Sequence, residues 1–167
     1  MQIRLLFSPF ILLYIHTEDT IMEIERKFLI KELPDNLDSY PCRHIEQGYL
    51  STNPVVRIRK DNQIYELTYK GKGAMVREEY NLPLTQDAYE HLKEKIDGRL
   101  IIKKRYMIPF KQYTIELDVF ENDLAPLTLC EVEFPTKEEA DSFTPPDWFA
   151  EDVTFSKLYH NSFLSQI

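Results

Sequence analysis

Charged side chains recur at every second position in segment after segment of this chain. Glu23, Glu25 and Lys27 form the first set, followed by Arg57 and Arg59, then Glu66, Thr68 and Lys70, then Arg77, Glu79 and Asn81. Lys103 with Arg105, Glu116 with Asp118, and Glu131 with Glu133 continue the pattern. In an extended strand successive side chains point to opposite faces, so the members of each set share one face. The other face is apolar: Ile24 and Phe28, Val56 and Ile58, Leu67 and Tyr69, Tyr80 and Leu82, Tyr106 and Ile108, Ile115 and Leu117, Val132 and Phe134. Carboxylate oxygens suit hard divalent cations, while guanidinium and ammonium groups suit phosphate.

The grouping of sign separates two readings of the polar face. A sheet with one solvated face favours mixed signs, because opposite charges across strands stabilise and like charges do not. Here Arg57 stands with Arg59, Lys103 with Arg105, Glu116 with Asp118 and Glu131 with Glu133. Such grouping destabilises an empty protein and points to a bound polyanion together with divalent cations. Closing about eight strands into a barrel would aim these side chains at one another around a small lumen. The expected fold is therefore mainly β (α+β). It is a closed, eight-stranded antiparallel barrel with a charged lumen and an apolar outer face covered by a few helices.

The elements that must hold these side chains are legible as short runs rich in β-branched and aromatic residues. Strands are expected over 23–30, 43–51, 55–60, 63–70, 75–82, 100–109, 112–120 and 128–135, with turn chemistry at Asp61-Asn62, Gly71-Lys72-Gly73 and Glu121-Asn122-Asp123. Thr85 can cap a helix over 86–96, with Gly98 just past its end, and Thr136 with Glu139 forms a capping box for a helix over 137–143. Short helical turns are expected over 34–40 and 156–164, and Pro145-Pro146 forms a stiff turn.

Composition narrows the function class. A chain of 167 residues, 43% hydrophobic and 29% charged, suits one domain with a real core and is neither disordered nor fibrous. Its net charge of −8 argues against a non-specific nucleic-acid binder. Cys42 and Cys130 lack CxxC spacing and read as lone thiols in a reducing cytosol. His16, His44, His91 and His160 show no metal-ligand spacing, so any metal would be held by oxygen. Residues 1–21 differ from the rest. Arg4 precedes an apolar run over 5–15 that Pro9 interrupts, too short to span a bilayer and followed by no small-x-small cleavage site. They are expected to be a leader arising from a start codon placed too early, with the working domain over 22–167 and a cytoplasmic location.

Glu23-Ile-Glu-Arg-Lys27 resembles the N-terminal ExExK signature of the CYTH domain family, the triphosphate tunnel metalloenzymes. Gln47-Gly-Tyr-Leu50, Arg57-Ile-Arg59, Leu67-Thr-Tyr-Lys-Gly71, Arg77-Glu-Glu-Tyr80, Lys103-Lys-Arg-Tyr106, Glu116-Leu-Asp-Val-Phe120, Cys130-Glu-Val-Glu-Phe134 and Tyr159-His-Asn161 follow in the family's order, over about residues 22–166. The resemblance implies an eight-stranded tunnel that hydrolyses or cyclises triphosphate compounds with Mg²⁺ or Mn²⁺. It implies metal ligation by Glu23, Glu25, Glu79, Glu116, Asp118, Glu131 and Glu133. Phosphate would be cradled by Lys27, Arg57, Arg59, Lys70, Arg77, Lys103 and Arg105, with Lys157 near the tunnel mouth. Tyr49 and Lys103 would serve the attacking water, and Glu25 would count with them as catalytic through its metal. One departure stands on the fifth strand, where Asn81 replaces a glutamate common in relatives, which bears on whether one metal or two is bound.

Three functions follow from the resemblance. The short single-domain form and the Pro145-Pro146-Asp-Trp-Phe149 tail look like the bacterial inorganic triphosphatases. A class IV type adenylyl cyclase, or a thiamine or nucleoside triphosphatase, is the enzymatic alternative. A polyphosphate or nucleotide binding module is the non-enzymatic one, although a pure anion binder gains nothing from carboxylates in its lumen. The expected partner is a small-molecule triphosphate, with no nucleic acid and no membrane, the chain acting as monomer or homodimer. A chain beginning at Met22 is expected to fold and to keep full triphosphatase activity; phosphate release that disappears on this truncation would show that residues 1–21 belong to the domain.

Overall fold

The computed structural model describes residues 21–73 and 75–167. Nine strands form one antiparallel sheet: β1 (Ile21–Ile30), β2 (Cys42–Thr52), β3 (Val55–Asp61), β4 (Ile64–Lys70), β5 (Val76–Pro83), β6 (Asp97–Phe110), β7 (Tyr113–Phe120), β8 (Thr128–Glu133) and β9 (Phe149–Asp152). The neighbour order β5-β4-β3-β2-β6-β7-β8-β1 closes through β1–β5 pairing into the expected eight-stranded barrel. The leader lies outside the described residues except for Ile21, which pairs with Glu79 in the β1–β5 ladder.

β1 holds the barrel together by changing partners along its length. One edge pairs with β8 through Glu25–Phe28, while the other pairs with β5 through Ile21–Ile24 and then with β9 through Phe28 and Ile30. β9 was not expected, because four residues after a Pro-Pro turn carry too little alternation to read as a strand. It continues the seam where β5 stops, and the backbone N–H of Val153 then donates to the Lys27 carbonyl at 2.8 Å.

The helices are shorter than expected. In α1 (Gln86–Lys93) Thr85 accepts from the Ala88 N–H at 3.2 Å, but the helix stops before residue 96. Ile96 is needed elsewhere: a Cβ on Gly48 would lie 2.6 Å from its Cγ2, so side chain and strand backbone are in close packing there. Gly98 sits inside β6, at φ +73°, rather than beyond a helix end. Thr136 caps α2 (Lys137–Ser142) through the Glu139 N–H, yet the Glu139 carboxylate accepts from the Tyr113 hydroxyl at 2.8 Å instead of closing a capping box. The expected 156–164 helix breaks at extended His160 into a 3₁₀ turn (Lys157–Tyr159) and α3 (Asn161–Leu164), and 34–40 holds only a 3₁₀ turn (Leu37–Ser39). No helix among the described residues is long and apolar enough to cross a membrane.

Two apolar clusters stabilise this arrangement. Outside the barrel, Phe28, Ile108, Ile115, Leu117, Val132 and Phe134 pack with Ala140 of α2 and with Phe143 and Phe149. The second cluster lies on the charged side of the strands: Ile101, Phe120 and Leu129 share parity with Arg105, Asp118 and Glu131, and pack with Tyr49, Val153 and Leu164. One end of the barrel is thus filled by apolar side chains and the C-terminal segment, which the uniformly charged face read from sequence did not anticipate. Phe28 anchors the outer core, with its ring centroid 4.8 Å from Phe149 and 6.0 Å from Phe143. Phe28→Ala is expected to destabilise the fold by about 3–5 kcal/mol, measured by urea denaturation.

A candidate active site in the barrel lumen

Strand order sorts the charges into two walls. Arg77, Lys70, Arg57 with Arg59, Arg43, and Lys103 with Arg105 fall on β5, β4, β3, β2 and β6, which are consecutive around the barrel. Glu116 with Asp118, Glu131 with Glu133, and Glu23 with Glu25 fall on β7, β8 and β1, which complete the circle, with Lys27 on β1 and Glu79 on β5 as the lumen exceptions. Opposite signs meet at the two seams, where Glu23 faces Arg77 and Arg105 faces Asp118 across the ladders. Within the acidic wall, Glu25 stands opposite Glu133 and Glu116 opposite Glu131.

Between the walls lies a cavity of about 260 Å³. Glu23, Glu25, Lys27, Tyr49, Arg57, Arg59, Lys70, Arg77, Glu79, Arg105, Glu116, Glu131 and Glu133 all line it. Three of the expected residues do not. Lys103 and Asp118 are ion-paired beneath the lumen wall and fully buried, the Lys103 ammonium lying 5.4 Å from the Phe120 ring centroid. Lys157 is exposed and lines a groove of about 820 Å³ that opens from the lumen between the β2–β3 and β4–β5 turns and the C-terminal segment. The cavity also takes in Arg43, His160, Asn161 and Ser162. Arg43 shares strand parity with Tyr49 and was open to the same reading, whereas His160 lies in an aperiodic segment with no such signal.

Ion pairs hold most of the cations. Lys70 Nζ lies 2.6 Å from Glu23 and 2.5 Å from Glu79; Arg77 reaches Glu23 at 2.8 Å and Glu25 at 2.9 Å. Lys27 pairs with Glu131 at 2.7 Å. Arg105 binds Glu116, Asp118 at 2.6 Å and Glu131 at 2.5 Å. Asn81 donates to Glu79 at 2.8 Å and accepts from the Thr68 hydroxyl at 2.7 Å. The centre of the basic wall is different. Arg57 has only the Thr68 hydroxyl, at 3.2 Å, and Arg59 has no hydrogen-bond or ion-pair partner among the described residues. The Nε atoms of both are buried and unsatisfied. Glu133 likewise has no partner among the described residues.

Protonation follows from this unequal pairing. Burial, then Arg57 and Arg105, lower the Arg59 guanidinium to about 10. Burial and the Arg105 charge bring Lys103 down to about 8 against the pull of Asp118. For Glu131, burial is outweighed by Lys27, Arg105 and Lys103, which hold the carboxyl well below its usual range. Burial likewise opposes ionisation of Glu79, but Lys70 and the Asn81 amide bring it to about 2. Glu25 is pushed up by burial and by Glu131 and Glu23. Desolvation, then Glu116, Glu23 and Glu25, lift Glu133 to about 7, although it reaches water at the acidic mouth.

Because the folded state binds the Glu133 proton more tightly than the unfolded chain, whose carboxyl titrates near 4.5, this group stabilises the fold at acid pH. That contribution is lost as pH rises through about 7. Glu133→Gln is therefore expected to be more stable than the parent at pH 8, with the difference vanishing near 4.5, as read by denaturation across that range.

Comparison with known proteins agrees with this geometry. A curated inorganic triphosphatase of Nitrosomonas europaea is 41% identical over 149 residues, covering 86% of this chain and 96% of the relative. One from Acetivibrio thermocellus is 32% identical over 149 residues, covering 84% and 90%. A crystal structure of an inorganic triphosphatase superposes with a TM-score of 0.66 at 36% identity, covering 87% of this chain and 95% of that one. The family model of the CYTH domain matches residues 22–166, and the chain belongs to that family.

Proposed function

We propose that the protein is a metal-dependent inorganic triphosphatase that hydrolyses triphosphate to pyrophosphate and phosphate inside the lumen. The observation that carries this reading is the Arg57–Arg59 pair. Two guanidinium groups, Arg57 buried and Arg59 half-buried with its Nε out of reach of water, face a cavity without a counter-ion, which is unfavourable until a polyanion arrives. The activity of the relatives supports the same substrate, and the two free cysteines are consistent with a cytoplasmic location.

The acidic wall fits a hard divalent cation, Mg²⁺ or Mn²⁺. Its donors are all carboxylate oxygens, and the opposed Glu25–Glu133 pair lacks a full complement of cations. Among the described residues no three donors converge as a preformed ligand set, because lysine and arginine hold the carboxylates. Glu23, Glu25, Glu116, Glu131 and Glu133 would hold the ion. Glu79 and Asp118 are more firmly held, by Lys70 and by Lys103 with Arg105. Such an ion, when bound, supplies charge neutralisation at the phosphoryl oxygens and lowers the pKa of water.

The chain's own residues do the positioning on which phosphoryl transfer depends. Arg57 and Arg59 grip the phosphate chain from the basic wall. Lys70 and Arg77 turn to it as their hold on Glu23 and Glu25 is relaxed, and Lys27 and Arg105 close it from the seams. Water attacks the terminal phosphorus, the bridging P–O bond breaks, and the electron pair leaves with pyrophosphate. The water proton passes to a lumen carboxylate. Tyr49, whose hydroxyl is held neutral by burial despite the nearby cations, can hydrogen-bond a phosphoryl oxygen or the attacking water.

A second reading rests on the groove at the basic mouth. Tyr69, Phe155 and Phe163 present aromatic surface there beside Lys72 and Lys157, so the organic group of a nucleoside or thiamine triphosphate has somewhere to lie. The groove shares Lys70 and Arg77 with the lumen while Arg57 and Arg59 lie deeper, so bulk held in the groove adds no contact to the reacting phosphoryl group and gains nothing in the transition state. Free triphosphate is expected to be hydrolysed with much higher kcat/KM than ATP under the same Mg²⁺, with no cyclic AMP formed. Equal efficiencies or accumulating cyclic AMP would decide for the second reading. In the same assay Glu25→Gln should lower kcat by orders of magnitude, and Arg59→Ala should lose about 1.5–3 kcal/mol of transition-state binding.

A further inference from the structure

Gln47 is a fully buried polar side chain at the back of the lumen wall. It shares strand parity with Tyr49 but does not itself line the cavity. Its Nε2 donates to the Tyr49 hydroxyl oxygen at 3.3 Å. A phenol has one proton to give. With its oxygen accepting from Gln47, the Tyr49 proton is free to point into the cavity that Tyr49 lines. The other amide atom, Gln47 Oε1, is buried without a partner. Directly opposite Gln47 in the β2–β3 ladder stands Arg59, whose Nε is a buried donor without a partner. A complementary acceptor and donor therefore lie on opposed residues, both unsatisfied in the free protein.

The backbone around Gln47 is built to hold this arrangement. The ladder register shifts between Gln47 and Tyr49 on the β6 side and between Tyr49 and Ser51 on the β3 side, the kind of irregularity that re-aims a side chain. Gly48, between them, leaves no room for a side chain against Ile96.

We propose that Gln47 is a positioning residue that fixes the Tyr49 hydroxyl as a donor into the lumen. The assignment rests on the triphosphatase reading above. It makes the aim of the Tyr49 proton depend on one buried amide.

Gln47→Met keeps the length and approximate volume of the side chain and removes the amide. A double-mutant cycle with Tyr49→Phe measures whether it acts through the tyrosine, using kcat/KM for triphosphate and calorimetric binding of non-hydrolysable imidotriphosphate at fixed Mg²⁺. Gln47→Met is expected to lower both by about tenfold in the parent and by less than about twofold when Tyr49→Phe is already present. Equal losses in the two backgrounds, in a protein that still melts cooperatively, would reduce Gln47 to a packing role and overturn the proposal. Should Gln47→Met fail to fold, Gln47→Glu serves the same cycle, since a carboxylate accepts but cannot donate to Tyr49. A parent that neither hydrolyses triphosphate nor binds the analogue would overturn the functional reading as well, whereas hydrolysis with additive losses would overturn only this one.

Discussion

Closure of the barrel leaves its inward charges nowhere to go, and the rest of the structure depends on that constraint. On an open sheet a poorly paired lysine or glutamate can turn to water. Inside eight closed strands it must find a partner, shift its protonation or remain unsatisfied. All three outcomes are present. Lys27 and Glu131 find each other. Glu25, even with Arg77 beside it, is pushed toward its neutral form by burial and by Glu131. Arg59 stays unpaired and gives up part of its affinity for a proton. Sign sorted by strand order contributes to these fates: the seams bring Glu23 to Arg77 and Asp118 to Arg105, Lys27 on the acidic wall takes Glu131, and Arg59 at the middle of the basic wall is left without a partner among the described residues.

This distribution also explains why the fold tolerates a lumen so expensive to assemble. Breaking a buried ion pair by removing one partner is far more disruptive than never having made it. The outer core, centred on Phe28 and the α2 side of the barrel, and the apolar fill around Ile101, Phe120 and Leu129 supply stability that does not depend on the charges. The charged belt is held between these two dry regions, which lower the local dielectric and strengthen both attraction and repulsion within it.

Much of this was legible in the sequence, and what was not has identifiable causes. Strict alternation with sorted charge gave the strands and their inward faces, because a period of two leaves no freedom about which side chains share a face. The lumen residues from Glu23 to Glu133 follow from it. Lys103 and Asp118 have the same parity yet lie beneath the wall, since parity fixes a face but not a depth along the barrel. Arg43 and Gln47 were available by parity with Tyr49, but the residues of that parity beside them, Ile45 and Tyr49, carry no charge to mark the face. β9 and the C-terminal closure were hidden because their placement is set by tertiary pairing with β1 and by packing onto Leu164, neither of which leaves a local period. The Ile96–Gly48 contact shortened α1 for the same kind of reason.

The two mouths differ in sign, and that asymmetry has a kinetic consequence. The chain carries a net charge of −8, so a triphosphate approaching from a distance is repelled on average. The acidic mouth, with Glu116, Glu133 and Glu139, turns it away, and Lys72 and Lys157 beside the groove offer the one attractive approach among the openings described. At about 0.1 M salt the screening length is about 10 Å, which mutes the far-field repulsion while the interactions between closely spaced, water-excluded groups persist. The charge asymmetry therefore favours approach by the groove, and moderate ionic strength mutes the far-field repulsion more than the contacts made inside the lumen.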